Sequence, residues 1–400
     1  MPIVIYVFSL CTFTFGLSEF VVAGLVSAMA VDLGSSTTAV GSAIAAYALG
    51  AAIGAPLLTA LLLGWRERNV LALTLAVLAL GSLAFAWVEQ LWAVNLIRLV
   101  IGLGHGVFMA VAADVAVKRV DEPRAGRALA LVWLGLTLAL ALGVPLGTLL
   151  GSLWSWRAIF VALGVLGILS LVGLLHLMPA QAPPPRPAGG RLAGLTALMR
   201  RPILAAAGIA MLVSVATFSF LTYVSPFLLQ VTHGGVRLLS LAMLMFGAAT
   251  LLGNLLAGQA ADRFDTGRCL TVALVGLAAN LGLLHVGREM PWAVMLLVGG
   301  LGALFFAIVT LSTLRLIALA KQLAPQATGV ASGLSIAAFN LGTALGGGLG
   351  GWVIERIGLE YLPLAGMGAA LLGLGLLRSP FATQGRSCMS RKGRNAAPRT

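Results

Sequence analysis

The chain has 400 residues, of which 60% are hydrophobic and only 9% charged. A soluble domain carries about 25% charged residues, so this composition excludes a water-facing globular protein and points to an integral membrane protein. The net charge of +13 does not imply nucleic acid, because no aromatic residues interleave with the charges of the basic tail "RSCMSRKGRNAAPRT"; attraction to anionic lipid headgroups accounts for it.

The first apolar run, about residues 3–30, holds one charge between Pro2 and Val31, namely Glu19. Ala28-Met29-Ala30 mimics a cleavage site, but the run is too long for a signal peptide and lacks a basic start, so a retained first helix is expected. Eleven further spans follow by hydropathy and turn signals, at about 38–63, 69–88, 92–117, 125–152, 157–178, 203–230, 238–261, 269–287, 291–314, 327–353 and 359–378. The Pro/Gly-rich stretch "PAQAPPPRPAGG" opens the longest break and cannot continue a helix. It divides the chain into a six-helix half (1–178), a linker (179–202), a second six-helix half (203–378) and a basic tail (379–400). The fold class is therefore all-α membrane protein, twelve transmembrane helices in two pseudo-symmetric halves.

Two observations support this arrangement. Gly143, Gly147 and Gly151 share their spacing with Gly342, Gly346 and Gly350, as expected of a six-span repeat. Lys and Arg also fall overwhelmingly on the connections that share a side with both chain ends, the other side holding only Arg157, Arg237, Arg288 and Arg356. The positive-inside rule then puts both termini in the cytoplasm.

Charges inside a span are rare, costly and usually turned to the bundle interior. At about 1.5 Å per residue, Glu19 of span one falls in depth between Arg98 and His105 of span four. Burial and a neighbouring cation act in opposite senses on a carboxyl's proton affinity. Glu19 and His105 are therefore expected to exchange protons with Arg98 tuning them, the plainer alternative being a Glu19–Arg98 pair that only fixes helix register. Asp114, beside Lys118 and Arg119, reads as interfacial pairing. Polar or aromatic candidates for contact with a solute are Tyr47, Phe218, Tyr223, Asn254, Phe305 and Asn340. Asn254 and Asn340 serve equally well as interhelical hydrogen bonds, because an amide in lipid needs a partner. An otherwise apolar lining favours a neutral or amphiphilic solute.

Several segments resemble motifs of the major facilitator superfamily. "RLVIGLGHG" (Arg98 to Gly106) is similar to its fourth-helix motif, and "GQAADRFDTGR" (Gly258 to Arg268) to its cytoplasmic loop signature. "LGVPLGTLLG" (Leu142 to Gly151) resembles the fifth-helix motif associated with antiporters, and the opening "GLSEFVVAGLVSAMAVDLGSS" looks like the first helix of bacterial twelve-helix drug and sugar efflux members. Two departures stand out. The first-half loop "TALLLGWRERN" lacks the expected acidic residue, and Val144 separates Gly143 from Pro145, where the family has Gly-Pro. The resemblance implies gating roles for Asp262, Arg263 and Arg268, and for Gly143, Pro145 and Gly147, whose small faces and bent backbone allow helices to rock.

The resemblance further implies a secondary transporter that exports a drug, sugar or related metabolite by alternating access in exchange for protons. The alternatives are a proton-coupled importer or uniporter, or a non-transporting sensor. The expected setting is the bacterial inner membrane, and the expected state a monomer whose partners are solute, protons and lipid. No cofactor, metal, nucleotide or enzymatic activity is expected: the sequence has no Walker loop, no His-Glu-x-x-His and no Gly-x-Ser-x-Gly, and Cys11, Cys269 and Cys388 fit no metal or redox spacing.

Overall fold

The structure is a computed structural model that describes residues 2–121, 124–179, 196, 198–324 and 328–379. Most of the predicted linker and nearly all of the basic tail lie outside the described residues. Among the described residues no strand occurs, and the chain forms twelve helical rods. These are α1 (Ile3–Asp32), α2 (Thr37–Ile53, continued to Leu61), α3 (Glu67–Phe85), α4 (Leu91–Lys118), α5 (Ala125–Leu138, continued through Val144–Leu153) and α6 (Trp156–Leu177). The second half has α7 (Arg201–Leu221), α8 (Val236–Arg263), α9 (Thr266–Val286), α10 (Pro291–Leu323), α11 (Thr328–Arg356) and α12 (Leu362–Arg378).

Eleven rods are long and apolar enough to cross a membrane. The twelfth, α11, runs 29 residues and carries its charged residues only at its last turn. Trp87, Trp92, Trp154, Trp292 and Trp352 stand exposed at rod ends on the face away from the termini, as amphipathic indoles do at a membrane–water boundary.

Prolines interrupt the rods in a consistent way. Pro56 lies inside the wide turn Gly54–Leu58, Pro145 follows the wide turn Ala139–Gly143, and Pro226 precedes Phe227–Val231. Proline offers no N–H to the preceding turn, and the backbone widens to relieve the lost bond.

The two halves repeat one packing rule. Gly143, Gly147 and Gly151 of α5 receive Phe13, Leu17, Val21 and Leu25 of α1, while Gly342, Gly346 and Gly350 of α11 lie against the Met211, Val215 and Ser219 carbonyls of α7. The shared glycine spacing thus marks corresponding helix pairs, α5 on α1 and α11 on α7. A second glycine contact joins α2 to α4: Gly50 meets the Leu99 carbonyl and Gly102 meets the Tyr47 carbonyl. Small residues let backbones approach this closely in lipid, where helices gain no hydrophobic attraction for one another.

Between the halves, α2 follows α11 from Ala45 beside Gly347 to Ala55 beside Gly333. α5 meets α8 where the Ser240 hydroxyl donates to the Pro145 carbonyl at 2.8 Å. One apolar core passes through both halves, with Leu25, Phe85, Phe160, Phe220 and Phe227 toward the face away from the termini and Leu270 and Leu377 toward the other. Two smaller clusters lie toward the termini, one with Phe8, Leu71 and Phe108 of the first half, against which Ile336 of the second half packs, and one with Ile203, Leu316 and Leu319 of the second.

A side chain at Gly102 would strike the Tyr47 carbonyl, which cannot move without shifting α2. Gly102→Leu is expected to destabilise the protein by about 1–3 kcal/mol, the usual cost of overpacking. Gly375→Ala, which faces open space, should leave the midpoint of thermal unfolding in detergent unchanged.

Candidate functional site

The first and fourth helices bring their polar side chains into one nest. Glu19 is 6% exposed, Arg98 0% and His105 5%. Arg98 reaches across from α4 with its donors occupied by main chain. Its guanidinium donates to the Ser18 carbonyl at 2.7 Å and the Glu19 carbonyl at 3.4 Å, and its Nε donates to the Ala43 carbonyl at 3.3 Å. The guanidinium also lies 4.1 Å above the Tyr47 ring, a desolvated cation–π contact. Arg98 thus ties α1, α2 and α4 together, and it meets the backbone of Glu19 rather than its carboxylate.

The carboxylate instead faces His105, whose Nδ1 lies 3.7 Å from Glu19 Oε2 and 3.1 Å from the Tyr47 hydroxyl. That hydroxyl donates to the Phe15 carbonyl at 3.3 Å, which leaves its oxygen to accept from an Nδ1–H. The free lone pair of the neutral imidazole then sits on Nε2. Phe15 stacks on the imidazole at 5.0 Å between ring centres, 10° from parallel, and holds the ring plane. Two buried atoms in this nest have no hydrogen-bond partner, Glu19 Oε1 and His105 Nε2. Orphaned buried polar atoms are uncommon in folded proteins, and two of them side by side single out this nest. The sequence pattern signalled Glu19, Arg98 and His105 but not Phe15 or Ser18, although both lie within one turn of Glu19. The carbonyls that engage Arg98 leave no trace in side-chain identity.

The candidate solute contacts separate into distinct places. Tyr47 belongs to the nest. Phe218 and Phe305 pack edge to face at 5.7 Å, and Phe339 joins both, at 6.1 Å from Phe218 and 5.7 Å from Phe305. Phe20, next to Glu19, lies 6.0 Å from Phe218 and carries this aromatic cluster to α1. Neither Phe20 nor Phe339 was singled out from the sequence, although their neighbours Glu19 and Asn340 were. The Asn340 amide donates to the Ile336 carbonyl at 3.0 Å, while its buried Oδ1 has no partner. Asn254 and Tyr223 stand apart. Asn254 lies on an exposed face of α8 and accepts from the Thr310 hydroxyl of α10 at 2.6 Å. Tyr223 lies in the outer seam and donates to the Gly347 carbonyl at 3.0 Å.

At the terminus-side ends of the helices, Asp262, Arg263 and Arg268 are exposed. Asp265, between them, caps α9 by accepting from the Arg268 N–H at 3.0 Å. In the first half Lys118 pairs with both Asp114 and Glu67, joining the end of α4 to the start of α3. Among the described residues no group of His, Cys, Asp and Glu side chains could hold a metal ion.

Comparison with known proteins places this geometry in context. The family model described as Major Facilitator Superfamily matches residues 8–313. The chain is 34% identical to the inner membrane transport protein YdhP of Escherichia coli (strain K12), over 91% of this chain and 92% of the relative. It is 30% identical to a probable sugar efflux transporter of Helicobacter pylori (strain P12), covering 94% of each. The crystal structure of a D-xylose-proton symporter superposes with a TM-score of 0.73 at 14% identity, covering 94% of this chain and 97% of that one.

Removing Arg98 takes the second, side-chain hydrogen bond from three helix carbonyls and leaves Glu19 without a neighbouring cation. Arg98→Ala is expected to destabilise the detergent-solubilised protein by about 2–5 kcal/mol, as when a large, fully buried side chain is cut back to a methyl group. Tyr47→Phe keeps the ring under the guanidinium and loses one hydroxyl, so its cost should be about 1–2 kcal/mol. Thermal unfolding of the two variants side by side checks this order.

Proposed function

Since the chain belongs to the major facilitator superfamily, a family of membrane transporters rather than enzymes, we propose that it exports a small neutral or amphiphilic solute from the cytoplasm in exchange for protons. The observation that carries this reading is the Glu19–His105 pair. The two groups lie 3.7 Å apart, shielded from bulk water, and Arg98 is committed to main-chain carbonyls, which leaves the carboxylate able to take and release a proton.

Coupling follows from a shared equilibrium. α1 runs through the nest and also meets both α5 and the aromatic cluster, so a change in the charge of Glu19 bears on the packing between the halves. A proton and a solute that each favour a different arrangement bias the same two-state equilibrium, and each then alters the affinity for the other. The halves rock about the centre, and the basic connections lie on the cytoplasmic side of a bacterial inner membrane. Relatives named as probable sugar efflux transporters support a polyhydroxylated solute. Phe20, Phe218, Phe305 and Phe339 offer faces for the C–H side of a ring, and the unpartnered Asn340 Oδ1 offers an acceptor for a hydroxyl.

Purified protein in sealed liposomes with an imposed pH gradient tests the proposal. The wild type should drive a labelled sugar, or an amphiphilic compound from a parallel panel, uphill against the proton flow. Glu19→Gln and His105→Ala should lower proton-driven accumulation by about tenfold or more while leaving solute exchange at equal pH measurable. Normal uphill transport by both variants would remove these residues from coupling, and accumulation in the direction of proton flow would make the protein an importer.

A further inference from the structure

Helix bonding in α7 lapses after Leu221, where Pro226 brings no N–H for the Thr222 carbonyl, and Tyr223 occupies the break. Its side chain is large, polar-tipped and only 2% exposed. Glycines make room for it. A methyl group at Gly41 would lie 2.5 Å from Tyr223 Cε1 and 2.6 Å from its hydroxyl. One at Gly350 would lie 2.8 Å from Cε2, and one at Gly351 2.9 Å from the hydroxyl. The hydroxyl donates to the Gly347 carbonyl at 3.0 Å. The ring fills this slot, with no room left for a solute.

The slot has two owners. Gly347, Gly350 and Gly351 are on α11, in the same half as Tyr223, whereas Gly41 is on α2 of the other half. The hydrogen bond and two of the glycines therefore hold the ring to its own half, and its remaining edge seats against Gly41. The contact lies toward the face away from the termini, and Tyr223 belongs to the apolar core that both halves share.

We infer that Tyr223 is the latch of the outer gate, an aromatic plug carried by the second half and seated on Gly41 of the first, rather than a residue that touches solute. This rests on the alternating-access reading. When the outer face opens, the Gly347 hydrogen bond travels with the ring and only the Gly41 seat parts. The position on α2 must then lack a side chain for the closed state alone. A methyl group there penalises the outward-closed conformer and leaves the outward-open one untouched.

The test is a distance measurement between spin labels on Val31→Cys and Ile357→Cys, exposed positions at the outer ends of α1 and α11, with Cys269 and Cys388 changed to Ser. It is made without solute or pH gradient, so it can succeed or fail independently of transport. Gly41→Ala should move the closed-to-open ratio toward open by about tenfold or more, and Tyr223→Ala should do likewise. The double variant should match Tyr223→Ala alone, because without the ring the added methyl has nothing to strike. Gly348→Ala, which meets no atom within 4 Å, should leave the distribution as in the wild type. If Tyr223→Ala does not fold, Gly41→Ala with Tyr223→Leu gives the same comparison. A wild-type distribution in Gly41→Ala, or equal effects of that methyl with and without the ring, would overturn the latch.

Discussion

A guanidinium with none of its surface exposed is the constraint on which this architecture turns. Placing Arg98 between three helices removes it from water at a cost of several kcal/mol, and the structure answers with carbonyls from α1 and α2 and with the face of Tyr47. Those partners fix how α1 and α4 are rotated toward each other. That rotation sets Glu19 opposite His105 at a distance just longer than a hydrogen bond. Were Arg98 paired with the carboxylate directly, the charge of Glu19 would be locked; by taking the carbonyls it orders the helix and leaves the acid free.

The glycine contacts place this nest inside something that can move. α2 and α4 touch backbone to backbone, as do α7 and α11, so each half is braced internally. Between the halves a glycine contact of the same kind recurs, Gly247 of α8 against the Leu140 carbonyl of α5, beside side chains that meet across α1 and the aromatic cluster and a hydroxyl that reaches one carbonyl of α5. Rocking of the halves would have to slide or part the two seams, α2 with α11 and α5 with α8.

Much of this was legible in the sequence, for identifiable reasons. The twelve rods follow hydropathy and turn chemistry closely. The glycine triplets of α5 and α11 were readable as a repeat because identity and spacing are both sequence properties. The nest was foreshadowed because charges in lipid have few other uses. Helix rotation was the part that stayed hidden. Many of these helices are apolar all round, so no stripe says which way Asn254 or Tyr223 turns. Asn254 bridges two helices and Tyr223 fills the outer seam, whereas Phe20 and Phe339, ordinary apolar residues by pattern, sit in the aromatic cluster. The main-chain partners of Arg98 were invisible for a deeper reason: every residue has a carbonyl, and only the fold selects which ones are used.

The central claim is that solute and proton act on one buried carboxyl, and the most direct measurement is proton release on solute binding. Detergent-solubilised protein in weakly buffered solution with a pH indicator is mixed with saturating solute, and the protons freed per protein are counted. Release by the wild type across the range where the carboxyl titrates, abolished in Glu19→Gln although solute still binds, is the result this account requires. Equal release by both proteins, or solute binding with no release at any pH, would contradict it.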